Sequence, residues 1–352
     1  MFFLLTLQLI KEQLFINFDC INMKKIYLFL AFMSMSALAC AQKSPYIKAV
    51  DEYVPAPGQF INTLPMLTAN DTPETAAEAC TKNLANQKQS GLITLGAYGG
   101  YITFHFDHPI INVENAPDFV VYGNSFPGWS EPGIVMVMKD ENGNGKPDDT
   151  WYELSGSADV DSVGKVKYNY EITYTPNSMK DIHWTDNQGG AGDVKRNSYH
   201  QQEYYPLWIK EPLTFKGTLL PKSSYKEGNL LKVNVWRYGY VDNLPNNKTD
   251  GLYIEHAVDT DRKPVKLDKI DFVRVYTAVN DWGEFVGEFS TEVSGAEDLH
   301  PEATAIEAPL NSNEETTVVA IYTIEGKKVT EMQHGLNIVK LANGKVRKVL
   351  VK

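Results

Sequence analysis

Cysteine is scarce in this chain. There are three among 352 residues, and Cys20 and Cys40 fall in a leader region, so Cys80 stands alone in the body. No disulfide can close within such a body, and its core must be held by burial and, where ligands allow, by metal. A lone thiol without a His-Asp constellation reads as an inert buried residue rather than a nucleophile. Positive charge is also short, with 33 Lys and Arg against 44 Asp and Glu and a net charge of −11, which makes nucleic acid and anionic membrane poor partners. No stretch after the leader is apolar for long enough to cross a bilayer. Internal repeats are absent, which excludes a propeller or solenoid. Absent too are a nucleophile elbow, a His-Glu-x-x-His pair and a Gly-rich phosphate cradle.

The leader has recognisable parts. Met23-Lys24-Lys25 followed by an apolar stretch from Ile26 to Ala39 is a basic head on a short apolar core, the pattern of a secretory signal. Residues 1–22 then read as an upstream extension and 23–41 as the signal. Two cleavage patterns stay open: Ala37-Leu38-Ala39 before Cys40 fits a lipid-anchored protein, and Ala39-Cys40-Ala41 before Gln42 fits ordinary cleavage. Either way the expected destination is outside the cytoplasm, at the cell surface or outer membrane.

What the body does contain is aromatic and β-patterned. Aromatics make up 11%, with 19 Tyr and 6 Trp, which suits a sheet-rich extracellular protein with aromatic binding surfaces. Only 72–89 has helical spacing, introduced by Thr72-Pro73-Glu74-Thr75 as cap and first turn, with Ala76, Ala77, Ala79, Cys80 and Leu84 on one face. Apolar alternation predicts strands at 92–95, 99–106, 118–124, 134–138, 151–154, 167–175, 213–219, 230–236 and 270–277. Many short strands and one covering helix predict a mostly β fold, a β-sandwich or jelly roll over 42–302. A polar linker at 303–316 and a small β module at 317–352 follow.

The stretch from Ile134 to Leu154 reads as strand, loop, strand. Asp140, Asn142, Asn144 and Asp148 stand at positions one, three, five and nine of a calcium loop, Gly145 at the sixth and Lys146 at the seventh. Trp151 occupies the twelfth position, where an EF-hand has Glu, so Glu153 or Asp149 is expected to supply the missing carboxylate. The flanks are strands, which argues for a strand-borne structural calcium site rather than an EF-hand. The bland alternative is a hairpin whose Asn-Gly pairs only set the turn.

Three long loops are the ligand-site candidates, because ordering such loops costs entropy that packing or function must offset. They supply Trp184, Asp186 and Asn187, then Tyr199, His200, Tyr204, Tyr205 and Trp208, then Tyr238, Tyr240, Asp242 and Asn243. Aromatic faces stack on sugar rings or a flat corrinoid while amides and carboxylates meet polar edges. Trp236 and Trp151 are expected in the core instead, and Trp129 in an exposed loop. His183, His200 and His256 as bases with Asp186, Glu203 and Asp242 as acids would make a hydrolase or lyase imaginable, although as lone residues they read more simply as hydrogen-bonding loop residues.

Two resemblances add to this. The order of strand, Glu325-Gly326-Lys327-Lys328-Val329 turn, Gly335-Leu336-Asn337-Ile338-Val339-Lys340 and a basic-apolar last strand resembles the type IX secretion sorting tail of Bacteroidota, which implies export to the cell surface. Gly99-Gly100-Tyr101-Ile102-Thr103-Phe104, Asp118-Phe119-Val120-Val121-Tyr122-Gly123-Asn124, Glu131-Pro132-Gly133-Ile134-Val135, Trp151-Tyr152-Glu153-Leu154 and Ile270-Asp271-Phe272-Val273-Arg274-Val275-Tyr276-Thr277 resemble a family of Bacteroidota cell-surface proteins, often labelled PKD-domain proteins and encoded beside TonB-dependent receptors, including cobalamin receptors. That resemblance implies a non-catalytic surface protein and carries no catalytic residues. The expected function is capture of a glycan or cobalamin for an outer-membrane TonB-dependent receptor, with a surface polysaccharide hydrolase or lyase and a structural adhesin as alternatives.

Overall fold

The computed structural model describes residues 43–161, 165–249, 251–283, 286–303, 318–324, 326–341 and 346–351. The signal, the Cys40 cleavage alternatives and the 303–316 linker, Ala303 apart, lie outside them.

The centre of the body is an antiparallel six-stranded sheet, in the order β1 (Ala49–Val54), β3 (Tyr101–Ile111), β14 (Lys269–Thr277), β5 (Gly133–Met138), β6 (Trp151–Leu154) and β13 (Ala257–Val258). The middle strands carry apolar residues on both faces, as a sheet buried on both sides requires. Ile102, Phe104, Val135, Val137, Val273 and Val275 face one core, and Ile134, Tyr276 and the partly buried Tyr101 and Met136 face another. Against the first face packs α1 (Pro73–Leu84), through Ala76, Ala77, Cys80 and Leu84. In the same layer run the two-stranded pairs of β2 (Ile93–Thr94) with β15 (Glu292–Val293) and of β4 (Phe119–Tyr122) with β16 (Gly295–Asp298). The second face meets a four-stranded sheet in the order β10 (Leu213–Leu219), β7 (Lys167–Tyr174), β8 (Ile182–Asp186), β9 (Ala191–Val194), through Tyr170, Ile172, Tyr174 and Phe215. The fold is mostly β, a sandwich of packed sheets rather than a closed barrel.

The helix begins as its sequence dictates. Thr72 caps it, its hydroxyl accepting from Thr75 N while the Thr75 hydroxyl accepts from Thr72 N, a reciprocal capping box. It ends at Leu84 rather than running to residue 89, because Ala85 is extended and Asn86 takes a positive φ of 60°. Cys80 is fully buried on its inner face, and burial pushes the thiol up from its ordinary range.

Two other expectations need correction. Strand β3 does not stop at Asp107-His108-Pro109 but continues to Ile111. Its register against β14 jumps from Ile110↔Ile270 to His105↔Phe272, so an irregularity absorbs the proline, whose missing N–H a regular ladder would not tolerate. And 181–190 is not a loop: Ile182-His183-Trp184-Thr185-Asp186 alternates buried and exposed positions and forms a hairpin with β9.

Trp236 is buried as expected. Trp151 is only partly covered, with the Arg274 guanidinium 4.3 Å above its ring. The pair β11 (Ser224–Glu227) and β12 (Leu230–Val233) completes the body. The C-terminal strands β17 (Val318–Thr323), β18 (Lys328–Val329), β19 (Gly335–Leu341) and β20 (Val346–Val351) form their own four-stranded sheet in the order β18-β17-β19-β20, with Val339 and Val349 at its centre. Among the described residues no helix is long and apolar enough to span a membrane.

Candidate metal centre and its cleft

The calcium-like loop between β5 and β6 folds around its acids. Asp140 Oδ1 accepts from Gly143 N at 2.8 Å and Asn144 N at 3.2 Å, and its Oδ2 accepts from Gly145 N at 2.9 Å. The amides of Asn142 and Asn144 both donate to the Asp148 carboxylate, and Asp149 accepts from Glu141 N and Asn142 N. Gly143 and Gly145 hold φ of 71° and 70°, where a Cβ would be strained. Lys146 enters through its backbone N–H, which donates to Asn144 Oδ1. Glu153 is not brought to this loop: it is paired with Arg262 at 2.5 Å and accepts from the hydroxyls of Thr218 and Tyr276. That corrects its expected place as a ligand.

The tightest gathering of acids lies elsewhere. One carboxylate oxygen from each of Glu131, Asp242 and Glu292 falls within 4.8 Å of the others, the one such group of three His, Cys, Asp or Glu side chains among the described residues. Backbone hydrogen bonds set this convergence. Val241 and Gly133 exchange N–H···O bonds in an isolated antiparallel bridge, and Glu131 N donates to Asp242 O at 3.0 Å, so the chain around 241 is laddered onto the start of β5. Glu292 comes from β15, and Glu292 N donates to Asp242 Oδ2 at 3.0 Å.

Asp242 is the hub. Its φ is 53°, and its Oδ1 also accepts from Asn124 N and Ser125 N at 2.8 and 2.7 Å. Gly123 lets that loop close around it, since a Cβ at 123 would stand 2.2 Å from Asp242 Oδ1. Glu131 accepts from Ser290 N and from the Trp129 indole, and Glu292 accepts from the Thr94 hydroxyl at 3.0 Å.

The electrostatics of the group are one-sided. Among the described residues no ion pair reaches these acids. Burial pushes Glu131 well above the usual carboxylate range, and neighbouring Asp242 adds to that. Glu292 is raised by burial and then by Glu131 and Asp242. Asp242 is pushed by burial up to about 6, against the pull of its backbone donors. Two like charges about 4 Å apart repel by roughly 4 kcal/mol at an effective dielectric of 20. Ionising all three together is therefore costly unless a cation lies between them.

Glu288 stands nearby and raises Glu131 further. Its Oε1 accepts from Gln59 N at 2.7 Å, while its Oε2 is buried without a partner, and burial pushes its carboxyl up to about 8.

Glu131, Glu288 and Glu292 open onto a cleft of about 380 Å³ whose walls include Phe60, Phe126, Trp129, Gln59 and Asn124. Phe126, Trp129 and Phe289 form a stack, with centroids 6.3 and 5.3 Å apart, running from an exposed ring to a buried one.

The expected ligand residues disperse. Asp242 is at the centre of the acid group, and Asn243 beside it binds the Trp236 backbone and the Ser130 hydroxyl. His200 packs its ring 4.7 Å from Phe60 on the cleft wall. Tyr204, Tyr205 and Tyr240 are buried in one core, and the partly buried Trp208 stacks on Tyr53 of the other. Asp186 ties its own turn by accepting from Gln188 N and Gly190 N, and Asn187 donates to Asn169 O in the same hairpin end. Tyr199 is exposed, Tyr238 lies beside His256, and Trp184 lines a separate cleft. Glu203 accepts from Met179 N in an exposed turn.

Glu131, Glu288 and Glu292 were missed as site residues because no local spacing links them. The one local sign was Glu131-Pro132-Gly133, an acid at a strand entrance. A scan against protein-family models and a search of curated proteins gave no match for this chain.

Proposed function

We propose that the protein binds glycan in a cation-dependent way, with Glu131, Asp242 and Glu292 as the ligands of a divalent cation at the floor of the Phe60–Phe126–Trp129 cleft. The observation that carries this is the convergence on one point of three hydrogen-bonded carboxylates, Asp242 and Glu292 buried and Glu131 partly so, with no Lys, Arg or His among the described residues paired to them. Hard oxygen donors of this kind favour calcium. When bound, the ion would supply a positive centre for hydroxyl oxygens of a ligand. The chain's own residues do the rest. Phe126, the exposed end of a stack backed by Trp129, offers a flat apolar face to a pyranose ring, and Asn124 at the exposed mouth offers an amide to its hydroxyls. A cleft of about 380 Å³ suits a sugar unit, and a corrinoid is too large for it, which favours glycan over cobalamin. The leader and tail patterns support display at the cell surface, and the resemblance of the body to receptor-linked surface proteins supports hand-over to an outer-membrane receptor.

Calcium titration followed by a glycan panel, each with and without chelator, tests the reading. It expects calcium-dependent glycan binding that is lost in Glu292→Gln and weakened in Trp129→Ala. Binding indifferent to chelator contradicts it.

A second reading has its own observation. Glu288 is a buried carboxyl held protonated near neutral pH with one oxygen unpartnered on the cleft wall, the state a general acid needs. Release of reducing ends from a polysaccharide panel, abolished in Glu288→Gln, would make the protein a hydrolase. No turnover across the panel leaves it a binding protein.

A further inference from the structure

Glu288 belongs to two clefts. On one side it opens onto the acid group, and on the other it lines a second cleft of about 300 Å³ walled by Trp184, Gly192, Asn280, Asp281 and Trp282. We infer that this second cleft is an adjoining pyranose subsite, so that the two together take an oligosaccharide across Glu288. The inference rests on the glycan-binding reading.

Three features support it. The Trp184 indole lies against the backbone of β9, where a Cβ at Gly192 would stand 2.6 Å from its ring, so a glycine there leaves room for the ring. Trp282 is 39% exposed, and Lys195 Nζ sits over its ring at 5.2 Å from the centroid. Large flat apolar faces with polar groups beside them are what a sugar ring recognises.

The polar edge is fixed in place. Asp281 is buried, accepts from Trp282 N at 2.9 Å and from Ser224 N at 3.2 Å, and pairs with Lys222 at 3.3 Å, so the Trp282 backbone is anchored while its ring, covered on one face by Lys195, stays partly exposed. Between the clefts lies Glu288, whose Oε1 accepts from Gln59 N and whose buried Oε2 has no partner, so a protonated carboxyl would turn its O–H toward a hydroxyl of a spanning ligand.

Calorimetric titration of the full chain with glucose, xylose, mannose and their linear hexasaccharides, in calcium buffer, tests this. The expected result is that a hexasaccharide binds about tenfold or more tighter than its monosaccharide, and that Trp282→Ala removes this gain while leaving monosaccharide and calcium binding unchanged. Trp184→Phe, which keeps an aromatic core residue, should remove part of it. Equal affinity for short and long sugars, or a gain untouched by Trp282→Ala, would overturn the subsite and leave the acid-group reading standing. Absence of all sugar binding by the wild type would remove both.

Discussion

At the residue scale the acid group is defined by Asp242, whose two oxygens accept three backbone N–H groups and whose neighbours Glu131 and Glu292 are tied to its own segment. Gly123 is the residue this arrangement can least replace. Gly123→Ala drives a Cβ into Asp242 Oδ1 and should destabilise by about 1–3 kcal/mol, read by urea unfolding, with calcium binding weakened in parallel. Glu288 gives a pH prediction. Its folded carboxyl titrates near 8, above its unfolded value of 4.5. The folded state thus holds more protons than the unfolded one between those values, and stability falls as pH rises from 4.5 to 8. In chelator, wild-type stability should decline across that window, and Glu288→Gln should make the decline shallower, the raised Glu131, Asp242 and Glu292 carrying the rest. An unchanged slope would mean that Glu288 is ionised throughout. Of these acids the sequence offered Asp242, in an aromatic-rich loop, but not Glu131, Glu288 or Glu292. Isolated glutamates carry no local pattern, and only tertiary hydrogen bonds align them.

At the element scale, the hairpin of β5 and β6 was legible from its apolar alternation and Asn-Gly turn chemistry. So was helix α1, from its Thr72 cap and following proline. What was not legible was the role of the polar turn at 181–190, where a run rich in Asp, Asn and Gly hides the period-two burial of Ile182 and Trp184. The 140–149 loop is held as much by Asp140 as by anything it binds. Asp140→Ala removes an acceptor for three backbone N–H groups and should cost about 1 kcal/mol, a fall of roughly 2 °C in melting temperature. That loss is expected in chelator as well as in calcium. A loss confined to calcium would assign Asp140 to ion binding alone. Glu153 illustrates how spacing misleads in a strand. Two residues past the twelfth position, its carboxylate faces Arg262 rather than the loop.

At the scale of the whole molecule, a mostly β sandwich follows from short alternating strands and a single helix, and the order of strands does not. Strand β14, late in the chain, inserts between β3 and β5, a long-range pairing that no local pattern announces. That insertion places the segment carrying Glu288 and Glu292, just after β14, beside the Glu131 entrance to β5 and the loop carrying Asp242. The site is therefore a product of topology, its acids assembled from three stretches of chain at the sheet end. Aromatic richness pointed to binding surfaces, yet much of it went to the core, as Tyr98, Tyr170, Tyr174 and Tyr204 are all buried. The central claim is that Glu131, Asp242 and Glu292 hold a divalent cation. Calcium titration calorimetry on the wild type, Glu131→Gln, Glu292→Gln and Asp140→Ala tests it most directly. The account predicts a binding event that disappears in both glutamine variants and persists in Asp140→Ala, whereas glutamine variants with the wild-type isotherm would contradict it.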